Sequence, residues 1–229
     1  MRVSRLATTL SPRSTDPADS PRRRASGEET RAAILAAAER HFAERGFEAA
    51  RLEDIAADVG IRRAAIFYHF KDKHELYAAV LGEVVGGAAP LLSASGSAAE
   101  RLEAAISDWI DYVARRPTVA RLILREAASA QAGVVSPLAR AGGAPVEWFR
   151  ALIDEGVASG ELKPLTDPHR FISLMGATTV FHFAAMPSLT PDVPFDPSSR
   201  AELERHKREM LRVARLMLGI EVRAAARSR

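Results

Sequence analysis

The sequence predicts an all-α protein in which a small N-terminal helical domain precedes a larger helical one, with about nine helices in total. Three observations predict it. Alanine, leucine, glutamate and arginine dominate, while the β-branched alternation expected of strands is scarce. Apolar residues recur at three- and four-residue steps in segment after segment. Glycine or proline then punctuates those segments. At 229 residues the chain can bury a real core, as one domain or two.

Residues 1–27 are rich in Pro, Ser, Asp and Arg and poor in large apolar side chains. Such a segment cannot offset its own ordering entropy, so a disordered basic arm is expected, with Pro21–Arg24 (PRRR) able to lie along nucleic acid. Residues 28–85 form the first unit. Helical patterning starts near Thr30, places Ile34, Leu35, Ala38 and Phe42 on one face, and stops at Gly46. A short helix follows with Leu52, Ile55, Ala56 and Val59 together, and Gly60 supplies the freedom for a tight turn. A third helix carries Ala65, Ile66 and Phe70. The fourth opens at Asp72, with Glu75 three residues on as a capping box, and runs through Leu76, Val80, Leu81 and Val84.

Residues 86–229 repeat the theme with longer helices, the boundary falling near 85–97. One stripe holds Leu102, Ala105, Ile106, Trp109 and Val113, and Pro117 marks its end. The run TVARLILREAASA (118–130) is apolar around much of its circumference and reads as central. QAGVVSPLARAGGAP (131–145) reads as a loop or broken turn. Val146, Phe149, Leu152, Ile153 and Val157 come into register next, up to Gly160. An Asp-Pro start opens DPHRFISLMGATTVFHFAAM (167–186), SLTPDVPFDPSS (188–199) reads as a loop, and a last amphipathic helix ends at Gly219. No internal repeat is visible.

The net charge of +3 and pI of about 9.6 permit an acidic partner without demanding one. The absence of cysteine excludes disulfides, thiolate catalysis and cysteine-bound metal. No apolar leader and no run near the ~18 residues of a membrane span occurs, so a soluble, cytoplasmic protein is expected. Gly-rich phosphate loops, Gly-x-Ser-x-Gly elbows and His-Glu-x-x-His pairs are missing, and the histidines are scattered. His69 and His74, five apart, do not share a helical face. Catalysis, cofactor binding and metal binding are therefore not expected.

Two short helices around a glycine turn form a helix-turn-helix, whose second helix enters a major groove of duplex DNA. Leu52–Asp58 would support and Arg62–Tyr68 would read. Ile55, Ala56, Val59, Ile61 and Ile66 would lock the pair together, leaving Arg62, Arg63, Ala64, Ala65 and Tyr68 outward. Arginine can grip guanine bidentately, and small residues let a helix approach base edges. Tyr68, His69 and Lys73 would meet phosphates. Phe67 and Phe70 read as core, while Tyr68 divides between phosphate contact and packing.

From RAAILAAAERHFAERGFEA through EDIAADVGI to FYHFKDKHEL, about 50 residues, the sequence resembles the TetR family of bacterial transcriptional regulators. The resemblance implies that this region is the DNA-binding domain, that Arg63, Ala64, Ala65, Tyr68 and His69 meet the operator, and that Lys73 meets a phosphate. It implies a ligand pocket and a homodimer interface in the remaining helices. Three positions depart from the family pattern. Arg51 and Arg62 stand where Ser or Thr commonly caps a helix, each cap being worth about 1 kcal/mol, and could serve as phosphate contacts instead. Phe67 replaces a common tyrosine.

In the second unit the candidate ligand residues are Trp109, Tyr112, Arg125, Trp148, Met175, Phe181 and His182, with Glu126 and Phe183 beside them. Packing explains the aromatics and Met175 as well as a pocket does. Arg125 and Glu126, within an apolar helix, must be paired or reach solvent; an ion pair is expected for Arg125 before a ligand carboxylate. His182 between two phenylalanines reads first as a satisfied core histidine. The resulting expectation is a homodimeric repressor released from a palindromic operator by a small apolar molecule, with segments 167–186 and 200–219 as the dimer face. A DNA-binding activator or architectural protein without a ligand, and a helical protein-interaction module, are the alternatives.

Overall fold

A computed structural model describes residues 21–88, 95–129, 136–192 and 194–220, with the side chains of 21–25 and 141 excepted. Its regular elements, among the described residues, are all helical: α1 Pro21–Ala49, α2 Leu52–Val59, α3 Arg63–His69, α4 Lys73–Gly86, α5 Ala98–Arg115, α6 Pro117–Ser129, α7 Pro137–Ala158, α8 Pro168–Ala184, α9 Met186–Leu189 and α10 Arg200–Leu218.

Helices α1, α2 and α3 close around Ile34, Phe42, Ile55 and Ile66, all at most 1% exposed. Each such side chain contributes roughly 1.5–3 kcal/mol through burial. Helix α4 adds Leu76, Val80, Leu81 and Val84 to the same core and packs its other side on α7. Helix α6 lies between α1 and α8, and α5 between α7 and α10. Tyr112 of α5 donates to the Val84 carbonyl at 2.9 Å and accepts from Arg116 Nη1 at 3.0 Å, so α4 is fastened to α5.

Two glycines set the geometry of the N-terminal helices. Gly60 takes the left-handed conformation, φ 74° and ψ 27°, and its N–H returns to the last turn of α2. Gly46, at φ 78° and ψ 172°, kinks α1 one turn before its end. Capping is chemical elsewhere: Ser97 and Glu100 form a reciprocal box on α5, Ser136 caps α7, Asp167 caps α8 and Ser199 caps α10.

Several expectations change. Helix α1 starts at Pro21, so Pro21–Gly27 is helical; the rest of the expected arm lies outside the described residues. Helix α7 starts at Pro137, so 137–145 is helix where a loop was expected. Ser136 caps it, Pro137 needs no N–H donor in the first turn, and Leu138 packs on the core, which together outweigh two glycines and Pro145. The loop expectation for 131–135 lies outside the described residues. Asp72 accepts from Glu75 N–H at 2.8 Å as expected, yet Glu75 Oε2 accepts from Lys71 N–H at 2.6 Å and not from Asp72. Phe67 is 44% exposed and is not core; Phe70, at 2%, is.

Candidate DNA interface and effector cavity

Helix α3 is anchored by Ile66 and Phe70 and presents its other side to solvent. Arg62, Arg63, Ala64 and Tyr68 are exposed, Tyr68 by 82%, while Ala65 and His69 are half-buried. That exposure removes domain packing as the explanation of Tyr68. Arg63 lies 5.5 Å over the Phe67 ring and pairs with Glu53 at 3.0 Å, so its guanidinium is already held beside the outer face of α3. Arg51 and Arg62 occupy the N-cap positions of α2 and α3 and make no side-chain cap bond. His69 sits between Tyr68 and Phe70, ring centres at 5.2 and 6.4 Å. Lys73 is half-buried: its Nζ donates to the Glu48 carbonyl at 3.1 Å and lies 4.6 Å from the Phe47 ring. Two further ammonium protons remain for a phosphate.

The supporting helices are pinned by charge as well as packing. His41 Nε2 and Asp58 Oδ2 are 2.9 Å apart, with Arg40 at 3.5 Å, and the bond to His41 is the main reason the Asp58 carboxyl stays below its usual range. Arg45 pairs with Asp54.

Two adjoining cavities lie among α5, α6, α7 and α8. The inner one, about 220 Å³, is walled by apolar side chains such as Ile106, Phe149, Phe171 and Met175. The outer groove, about 1060 Å³, is rimmed by Leu124, Phe181, His169, His182 and His206. Trp109, Ile123, Leu138, Val146, Ile172 and Gly176 belong to both, so the groove leads inward. Of the ligand candidates, Met175 lines the inner cavity, Phe181 and His182 line the groove, and Trp109 lines both.

Tyr112, Arg125 and Trp148 lie outside both cavities. Tyr112 is spent between α4 and α5, and Trp148 packs on Phe149 under Arg101. Among the described residues Arg125 makes no ion pair, and it lines neither cavity. It is exposed, and its Nε and Nη2 donate to the Ala43 and Glu44 carbonyls at 2.9 and 2.8 Å. Those carbonyls belong to the end of α1, where the helix's own donors run out at the Gly46 kink. Next to it, buried Glu126 accepts from Tyr77 Oη at 2.7 Å, and burial is the first cause of the raised Tyr77 pKa. Helix α6 therefore holds both α1 and α4.

His206 was not singled out from the sequence. Its ring stacks on His182 with centres 4.1 Å apart, and burial pushes its pKa down to about 4, with His182 adding to the effect. Burial lowers His182 too. The only sequence signal was a histidine three residues after buried-face Leu203 in an otherwise charged helix, too weak to identify a cavity wall.

Residues 34–80 match the family model for bacterial regulatory proteins of the tetR family, and 99–213 match that for the tetracyclin repressor-like C-terminal domain. The chain belongs to the TetR family. That is a family of DNA-binding transcriptional regulators and not of enzymes. The regulator RutR of Escherichia coli K12 is 33% identical over 161 residues, covering 66% of this chain and 72% of that one. The repressor BepR of Brucella suis is 44% identical over 61 residues, 27% of this chain and only 29% of BepR's length. A crystal structure of AibR in complex with isovaleryl coenzyme A and operator DNA superimposes with a TM-score of 0.63 at 20% identity, covering 80% of this chain and 97% of AibR. That likeness speaks for the TetR-family fold. No described helix is long and apolar enough to cross a membrane.

Proposed function

We propose that this TetR-family chain is a cytoplasmic, homodimeric repressor that leaves a near-palindromic operator when a small, largely apolar molecule enters the cavity between α5 and α8. On this reading 28–85 is the DNA-binding domain and 86–229 the ligand-binding and dimerisation domain. Arg63, Ala64 and Ala65 read the major groove, and Arg51, Arg62, Tyr68, His69 and Lys73 hold phosphates. The observation that carries the ligand response is the position of α6. Ile123 lines both cavities, while Arg125 bonds carbonyls near the end of α1 and Glu126 bonds Tyr77 of α4. A ligand that displaces α6 must break or drag those bonds, changing the separation of the two reader helices from the roughly 34 Å that successive major grooves require.

The dimer face proposed is α8 with α10. Leu174 and Phe181 on α8 are 43% and 45% exposed, and Leu216 on α10 is 74% exposed, apolar surface that a second copy would cover. Fragments enriched from random duplexes, rebound in the presence of candidate effectors, test this reading. Binding that no effector weakens, in a protein shown to bind that effector, would contradict repression by release.

A further inference from the structure

One large apolar side chain on the reader helix has no part in the core and none in the DNA reading above. Phe67 follows buried Ile66, yet its own ring is 44% exposed. Four residues past Arg63 and three past Ala64, it lies between these two on the surface of α3, among the base-reading positions. The Arg63 guanidinium marks the same face, its carbon 5.5 Å from the Phe67 ring centre while Glu53 holds it at 3.0 Å. Single exposed apolar residues are ordinary on a protein surface. Here the ring stands where α3 would meet base edges.

The chemistry of the ring restricts what it can meet there. Phenylalanine has no donor or acceptor, so it bonds neither a phosphate nor the polar edge of a base. Entry of α3 into a major groove nevertheless takes the ring out of water. Against the amino, keto and N7 groups that base edges show, it strips water and returns no hydrogen bond. The C5-methyl of thymine is the apolar group that the major groove displays. Distance sets the register. The 5.5 Å between guanidinium and ring falls between one and two steps of the roughly 3.4 Å that separates stacked bases. A guanine gripped by Arg63 therefore leaves the ring over a base pair one or two steps away.

We propose that Phe67 is a specificity-determining residue, its ring resting on the methyl group of a thymine within two base pairs of the guanine read by Arg63. Arg63 and Phe67 then read a short thymine–guanine element as a unit, the guanidinium supplying the polar contact and the ring the apolar one. Ala64, on the other side of the ring, is small enough to let both approach the bases. A tyrosine at this place would bring a hydroxyl able to reach a phosphate. The phenylalanine present here acts only through its hydrocarbon surface.

This inference rests on the DNA-binding reading above, and the two can fail separately. The probe is the duplex enriched from random sequence on the full chain at low salt, with the guanine position read by Arg63 located from Arg63→Ala. Each thymine of one half-site is then replaced in turn by deoxyuridine, which removes the methyl group and leaves the hydrogen-bonding edge intact. Binding should fall about fourfold at one thymine within two base pairs of that guanine, the worth of one buried methyl group. Phe67→Ala should bind the thymine and deoxyuridine duplexes equally, and Phe67→Leu should keep part of the difference. Both variants should unfold at the wild-type denaturant concentration, because the ring is exposed, which separates a lost contact from a lost fold. If Phe67 serves only as a platform for Arg63, Phe67→Ala relaxes the guanine position while no methyl group matters, and the inference is overturned. It is overturned equally if no guanine position depends on Arg63, if no thymine lies in that window, or if the methyl effect survives in Phe67→Ala. Those outcomes leave DNA binding in place; a pool that stays random removes the DNA-binding reading and this inference together.

Discussion

Arg63 is steered by two neighbours before any DNA arrives: Glu53 holds its guanidinium at 3.0 Å and the Phe67 ring lies beneath it. Reading a guanine means exchanging the Glu53 contact for a bidentate one, so Arg63→Ala should cost about 1–3 kcal/mol on the preferred site and relax discrimination at one base position. Binding profiles over a set of single-base operator variants check this; an unchanged profile removes Arg63 as a reader. Lys73→Ala should instead weaken all duplexes alike and lower the salt dependence of log K by about one unit per log unit of salt. His206 gives a prediction about pH. Burial places its pKa near 4 in the folded chain, below the 6.5 of a free histidine. The unfolded chain therefore takes up a proton that the folded chain refuses. Stability is full above 6.5 and falls as pH drops toward 4, by on the order of 2 kcal/mol. Denaturant titrations between pH 7 and 4 should show that loss, and His206→Gln should flatten it.

Helix α4 begins at Asp72, whose carboxylate accepts from Glu75 N–H at 2.8 Å; Asp72→Ala should cost about 1 kcal/mol of stability, measured by chemical denaturation. The link between α6 and the DNA-binding helices predicts a loss of communication. Arg125→Ala with Tyr77→Phe removes the three bonds to Ala43, Glu44 and Glu126, so effector binding should persist while its effect on operator affinity shrinks severalfold. Retention of the full effect would move the coupling elsewhere. At this scale the sequence was most legible where a local signal was strong. Gly60, Asp72 and Asp167-Pro168 marked helix ends because the chemistry of a cap or a left-handed turn acts within four residues. Helix α7 was hidden for the opposite reason: Gly142, Gly143 and Pro145 argue locally for a loop, and only the packing of Leu138 and Phe149 on distant helices overrides them. Arg125 was unreadable because its acceptors lie 81 and 82 residues away.

For the whole molecule, the outward Arg62, Arg63, Ala64 and Tyr68 followed from a seven-residue pattern that placed Phe67 inside and Ala65 outside against the structure, whereas the cavity did not follow from any pattern. Met175, Phe181, His182 and Trp109 were legible as apolar or aromatic residues on helices, but His206 joins them only through the crossing of α8 and α10, and Tyr112 and Trp148 carry the same sequence signal without reaching the cavity. The proposed dimer face also belongs to this scale. On that proposal, Leu174→Asp or Leu216→Asp, which line neither cavity, should shift the protein from dimer to monomer in sedimentation analysis and lower operator affinity by more than tenfold, because one reader helix cannot hold two half-sites. The most direct measurement is the enrichment of random duplexes on the purified protein at low salt without effector. Two inverted half-sites centred about one helical turn apart, lost when Arg62 and Arg63 are both replaced by alanine, are the predicted result. A pool that stays random through repeated rounds would contradict it.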